Sequence, residues 1–281
     1  MRLMLDAHPS IAVPPESHFV VSLPRVFGAA PTPQAIEALL AHQRFREWGL
    51  DEGRFSQALD AREPATWADL YDTVFSLYAT EHGKQRWGDK TPGYGRFLDE
   101  LRQIFPSARF VHLIRDGRDV ACSLARVPWY EGSIVRMASD WKKSVRRARR
   151  SGLGRDDYLE VRYEDLVTDT VPTLHRVCSH LDVIWADSML AYPRRLDDKL
   201  PSHRKAWHQR TREGVSSDRI GIWRREMTAV DLWNFERVAG DLLEELGYGR
   251  EARFSLRGAA AAATGRARRY VRRAARLCSR P

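Results

Sequence analysis

Arg115, Asp116, Arg118 and Asp119 crowd five positions around Gly117, directly after the apolar run FVHLI at 110–114. An apolar run ending on such a cluster, followed by VACSLAR, reads as a buried strand passing into a helix start. In an open α/β sheet, ligands sit beyond the carboxyl ends of the strands, where the next helix presents free N–H groups. Arg115 falls at that end. Ser123 lies eight residues further on, about two helical turns, so the helix must angle across the site for both to meet one ligand group. An arginine fork with a hydroxyl donor suits a phosphate dianion. The same residues also suit an ordinary helix cap with surface ion pairs, and spacing alone leaves the two readings even.

The elements that would position this cluster follow from the pattern around it. MRLMLDAHPS reads as the last turns of a helix, and IAV at 11–13 as a short strand stopped by Pro14-Pro15. Residues 24–80 read as helical, with a capping-box start at Thr66 and Asp69. Then strand and helix signals alternate: strand QRWGDK, helix 94–105, strand 108–114, helix 117–126, a basic helix 133–151 and strand YLEVRY at 158–163. Such alternation predicts an α/β fold, a parallel sheet flanked by helices. Another helix starts at Thr170-Val171-Pro172, and the last expected one covers 229–246, capped by Thr228 and stopped by Gly247.

Composition narrows the function classes. With 281 residues and 43% hydrophobic content, the chain can bury a sizeable core. Cys122, Cys178 and Cys278 form no CxxC pair, which fits structural thiols in a reducing compartment, and a cytoplasmic setting is expected. The net charge of +9 is matched by nine arginines between Arg253 and Pro281, leaving the rest formally neutral. Residues 1–252 thus read as one domain, with an Arg-rich tail at 253–281 joined by the low-complexity stretch GAAAAATG (258–265). The histidines make no HxxxH or HExxH and no acidic cluster has ligand spacing, so no metal is expected. WGDKTPGYG lacks the glycine pattern of a Walker loop.

RDGRDVACS resembles the 3′-phosphate-binding segment of sulfotransferases that use 3′-phosphoadenosine 5′-phosphosulfate (PAPS), in which an Arg and a Ser eight residues later hold the 3′-phosphate. Three further stretches agree, in order. LDAHPSIAVPPESHF resembles the segment carrying the catalytic glutamate in the tyrosylprotein-sulfotransferase-like branch, WGDKTP the stretch with a catalytic lysine, and VRYEDLV the strand-end tyrosine segment. The resemblance implies a P-loop-type sheet, PAPS as co-substrate and a hydroxyl acceptor. Glu16 becomes the base for the acceptor proton, with His18 in reserve, and Lys90 relieves charge on the leaving oxygen. Arg115, Ser123 and Tyr163 become nucleotide contacts, to which Arg126 could add. SSDRIGIW (216–223) weakly resembles the family's last nucleotide-covering loop and adds Ser217, although Ile222 stands where a basic residue is common.

One departure stands out. The family's first motif, a strand and a PRSGTT-like loop cradling the 5′-phosphosulfate, would lie before RLMLDAHP, yet the first glycine here is Gly28. The expectation is a truncated chain whose N-terminal strand and loop are missing. Such a chain would bind the product nucleotide PAP weakly and transfer nothing; a non-catalytic nucleotide-binding or partner-binding remnant is the alternative. A nucleic-acid role is disfavoured, because charges surround helix 140–152 and no RNA-reading aromatic motif accompanies it. The tail, in contrast, has a basic amphipathic pattern from Arg266 that suits an anionic membrane surface. Acceptor choice is expected from 24–80 and from RVPWYEGS, through Trp129 and Tyr130.

Overall fold

The computed structural model describes residues 1–127, 130, 132–192 and 216–252. Trp129, the linker at 258–265 and the Arg-rich tail lie outside these. Helix α1 (Arg2–Asp6) leads into β1 (Ile11–Ala12), and the predicted helical segment follows as α2 (Phe19–Phe27), α3 (Pro33–Ala41), α4 (Gln43–Arg46), α5 (Glu52–Arg62) and α6 (Trp67–Glu81). After β2 (Arg86–Trp87) come α7 (Leu98–Ile104), β3 (Phe110–Ile114), α8 (Gly117–Leu124), α9 (Ile134–Gly152) and β4 (Tyr158–Arg162). The chain continues as α10 (Tyr163–Thr168), α11 (Thr170–Leu181), α12 (Trp223–Glu226) and α13 (Ala229–Glu245).

The starts of these helices obey local chemistry. Thr66 accepts from the Asp69 N–H while the Asp69 carboxylate accepts from the Thr66 N–H, the reciprocal box read from the sequence. Thr228 caps α13 by accepting from the Asp231 N–H at 3.1 Å. Strand β1 pairs in parallel with β2, Ile11 opposite Arg86 and Ala12 opposite Trp87, and β3 lies beside β4. The strands thus pair two by two rather than as one continuous sheet among the described residues.

The described residues fall into two compact units. The first draws on 1–112, 147–161, 165–192 and 216; the second on 113–127, 130, 132–146, 162–164 and 217–252. In the first unit the helical segment α2–α6 closes over Phe19, which is fully buried against Phe45, Trp48, Tyr71 and Phe75. Burying such a ring stabilises the fold by about 2–3 kcal/mol. Polar tips in this core find backbone partners: Trp48 Nε1 donates to the Pro15 carbonyl at 2.9 Å and the Tyr71 hydroxyl to the Phe19 carbonyl at 3.2 Å.

In the second unit Ile114, Ala121, Trp141, Phe235 and Ala239 share one core. Gly117 is required there, since a Cβ would stand 2.4 Å from the Trp141 ring. The basic helix departs from expectation. Charges do not surround α9, because Trp141, Val145 and Ala148 are buried along one stripe and the basic residues cover the remainder. No described helix is long and apolar enough to cross a membrane.

Candidate active site

The loops that follow β1 and β2 bring Glu16 and Lys90 together. Their side chains are hydrogen-bonded and ion-paired, although 74 residues separate them in sequence. His18 Nε2 lies 3.2 Å from the other oxygen of Glu16. All three side chains reach solvent, with Glu16 27% exposed, Lys90 44% and His18 43%. Burial raises the Glu16 carboxyl, but the hydrogen bonds and charges of Lys90 and His18 outweigh it, and the net value falls below the ordinary one. Glu16 is therefore ionised at neutral pH, the form a base must have. His18 holds a left-handed backbone, φ +59, immediately before α2. An L-residue there is strained, a condition that clusters at functional sites.

In the second unit the opening cluster separates into distinct tasks. Asp116 caps α8 by accepting from the Arg118 N–H at 2.9 Å and also binds the Arg118 guanidinium at 2.8 Å. Arg118, only 2% exposed, reaches Glu236 at 2.8 Å and the Gly249 carbonyl at 2.9 Å, with its guanidinium 3.8 Å from the Trp223 ring centre. Asp119, fully buried, accepts from the N–H groups of Gly221 at 2.8 Å and Trp223 at 3.1 Å. Burial pushes its carboxyl above the ordinary value against the pull of those donors. Three of the four charged residues thus build the fold.

Arg115 is the one that faces elsewhere. Its guanidinium lies 4.4 Å from the centre of the Tyr163 ring and donates to the Arg219 carbonyl. Its Nε is buried and has no hydrogen-bond partner among the described residues. A buried cationic N–H left unpaired costs free energy, which an anionic oxygen would recover.

Ser123 shares Asp119 with Arg115: its hydroxyl donates to the Asp119 carbonyl at 3.0 Å, and Arg115 Nη2 lies 3.5 Å from Asp119 Oδ2. Tyr163 opens α10 rather than closing β4. Ser217 is exposed, and its carbonyl accepts from Ile220 in the turn that delivers Arg219 to Arg115. Arg126 is ion-paired with Glu226. Tyr130 lies 3.4 Å from Asp140.

A profile of the sulfotransferase family matches residues 1–187. The chain belongs to the sulfotransferase family. Its relatives include protein-tyrosine sulfotransferase 2 of Gallus gallus, 27% identical over 68% of this chain and 49% of that one. The nodulation protein NoeE of Sinorhizobium fredii is 25% identical over 87% of this chain and 62% of its own length. The chain therefore spans about half to three fifths of these relatives. The fold is that of the sulfotransferase domain of the Synechococcus PCC 7002 olefin synthase, with a TM-score of 0.59 at 22% identity, covering 86% of this chain and 88% of that domain. The sulfotransferase domain of the curacin biosynthetic pathway also gives a TM-score of 0.59, at 19% identity and covering 86% and 91%.

Sequence reasoning passed over residues that hold the candidate cluster of each unit together. Asp119 stood in the quoted cluster as one more charge; its spacing as a first-turn acid carried no sign of a partner a hundred residues away. Ser17 and Asp89, flanking Glu16 and Lys90, carried no signal beyond adjacency.

Proposed function

We propose that, contrary to the inactivity expected from the absent PRSGTT-like loop, the chain transfers a sulfuryl group from PAPS to a hydroxyl acceptor. The contact between Glu16 and Lys90 carries this reading, because it places a proton acceptor and a cation side by side at the surface. Glu16 takes the acceptor's hydroxyl proton as the oxygen attacks sulfur. Lys90 then turns from Glu16 toward the bridging oxygen of the departing nucleotide and neutralises the charge that develops there. Cations of the protein can serve in this role, since a sulfuryl group carries less negative charge than a terminal phosphoryl group.

The second unit supplies residues that fit the nucleotide's 3′-phosphate. The unpaired Nε of Arg115 offers a charge-assisted donor, and Ser123 can rotate its hydroxyl away from the Asp119 carbonyl. Tyr163, stacked on Arg115, fixes the guanidinium plane. A phenolic acceptor has support from the protein-tyrosine relatives. Incubation with sulfur-labelled PAPS and a panel of tyrosyl peptides, phenols, sugars and alcohols tests the proposal. Label transfer is expected for at least one acceptor class. Binding of PAP in preference to AMP without any transfer would support a nucleotide-binding protein instead and reject the catalytic reading.

A further inference from the structure

Glu16 and Lys90 sit on separate loops, and the ladder between β1 and β2 ends before either. The last backbone bond joins the Gly88 N–H to the Ala12 carbonyl at 2.9 Å. Beyond it five residues, Val13 to Ser17, run on one side against Gly88 and Asp89 on the other. Side chains take over the pairing at this point. The Ser17 hydroxyl, fully buried, donates to Asp89 Oδ2 at 2.5 Å. Ser17 N donates to the Thr91 hydroxyl at 3.2 Å, and the Tyr94 hydroxyl lies 3.0 Å from Ser17 Oγ while accepting from the Val20 N–H at 3.1 Å.

Resting on the reading above, we infer that the Ser17–Asp89 bond is a positioning lock that sets the Glu16–Lys90 pair. Ser17 follows Glu16 and Asp89 precedes Lys90. Side chains alternate sides along extended chain, and the buried Ser17 beside the partly exposed Glu16 keeps that alternation beyond β1. Drawing Ser17 and Asp89 together inward therefore leaves Glu16 and Lys90 outward and adjacent. The lock uses a neutral hydroxyl as donor, so it adds no cation to compete with Lys90 for Glu16. Around Glu16 the charged or titratable groups are Lys90 and His18, with Arg2 of α1 and Asp89 close by and the Met1 amino group near Lys90.

The lock is tested in the full chain by carboxyl-carbon NMR, following the titration of Glu16 without nucleotide. Ser17→Ala changes no charge, so its effect reports geometry alone. The Glu16 midpoint should move up toward the ordinary glutamate value as Lys90 drifts away. Asp89→Asn keeps an acceptor for Ser17 and should hold the midpoint at or below the wild-type position. Asp89→Ala breaks the lock and should raise it; with its carboxyl raised to about 6, Asp89 is already protonated where Glu16 titrates, so its loss removes no charge there. This second variant decides the matter if Ser17→Ala does not fold. Turnover with PAPS should fall ~10²-fold in Ser17→Ala with nucleotide affinity unchanged. A Glu16 midpoint that fails to rise in Ser17→Ala or in Asp89→Ala overturns the lock. Failure of the unsubstituted chain to transfer label overturns the functional reading instead and leaves the titration result standing.

Discussion

The indole of Trp48 donates to the carbonyl of Pro15 across 2.9 Å, so the helical segment holds the residue that precedes Glu16. Trp48 is 7% exposed, and without its donor the Pro15 carbonyl would be left unpaired in the interior. Trp48→Phe keeps aromatic contact with Phe19 and Phe75 but removes the N–H. The expected cost is about 1–3 kcal/mol in urea unfolding, with turnover falling more than PAP affinity. An unfolding midpoint equal to wild type would show that this bond does not hold the loop.

Arg115 and Arg118 should part company under substitution. Arg118→Ala leaves Asp116 and Glu236 as buried carboxylates without a cation and is expected to cost about 3–5 kcal/mol of stability. Arg115→Ala should leave stability within about 1 kcal/mol, yet weaken PAP by about 2–4 kcal/mol and AMP far less. Calorimetric titration with both nucleotides checks it; equal losses for PAP and AMP would remove the 3′-phosphate from Arg115.

Glu16→Gln keeps the shape and hydrogen-bonding reach of the side chain but removes its basicity. Turnover should drop by ~10²-fold or more while PAP affinity holds. If the Gln variant turns over normally, His18, 3.2 Å away, takes the proton, and His18→Gln should then be the inactive variant.

Two half-buried groups should give stability opposite pH dependences. Burial raises the Asp89 carboxyl from 3.8 to about 6, so the native state binds its proton first and stability declines as pH rises from about 4 to about 6. Burial, followed by the nearby charge of Arg149, lowers the His112 imidazole from 6.5 to about 4. Here the unfolded chain binds the proton first, and stability declines as pH falls from 6.5 toward 4. Each contribution is on the order of 2 kcal/mol, so in wild type they offset. Asp89→Asn should therefore make the protein acid-sensitive, and His112→Gln should make it gain stability on mild acidification. Urea midpoints at several pH values between 4 and 7 read both; parallel profiles for all three proteins would refute the assignment.

The elements with strong local signals were legible in the sequence. The Thr66–Asp69 box, the Thr228 cap and the apolar run of β3 each depend on neighbours within a few residues. Glu16 and Lys90 became candidates through the family resemblance, and Arg115 first through its place at the end of β3. What escaped were contacts set by tertiary structure. The roles of Asp119 and Arg118 depend on partners near Gly221 and Glu236, and the apolar stripe of α9 was hidden by the density of arginines around it. Arg126 looked available beside Ser123, yet Glu226 engages it from a distant stretch of chain.

The way Asp119 fastens the segment after Ser217 bears on how this region can change over generations. Both of its bonds end on main-chain N–H groups, at Gly221 and Trp223. Any residue but proline supplies the same donor, so these two bonds by themselves dictate no side chain at their ends. Gly221 is the exception, because its φ of +68 disfavours other residues. The carboxylate on α8 has no such latitude, since each of its two oxygens accepts one of those bonds. A saturation library should therefore reject proline at 221 and 223 and accept almost nothing but aspartate at 119, so that selection acts on the course of this loop through a single carboxylate.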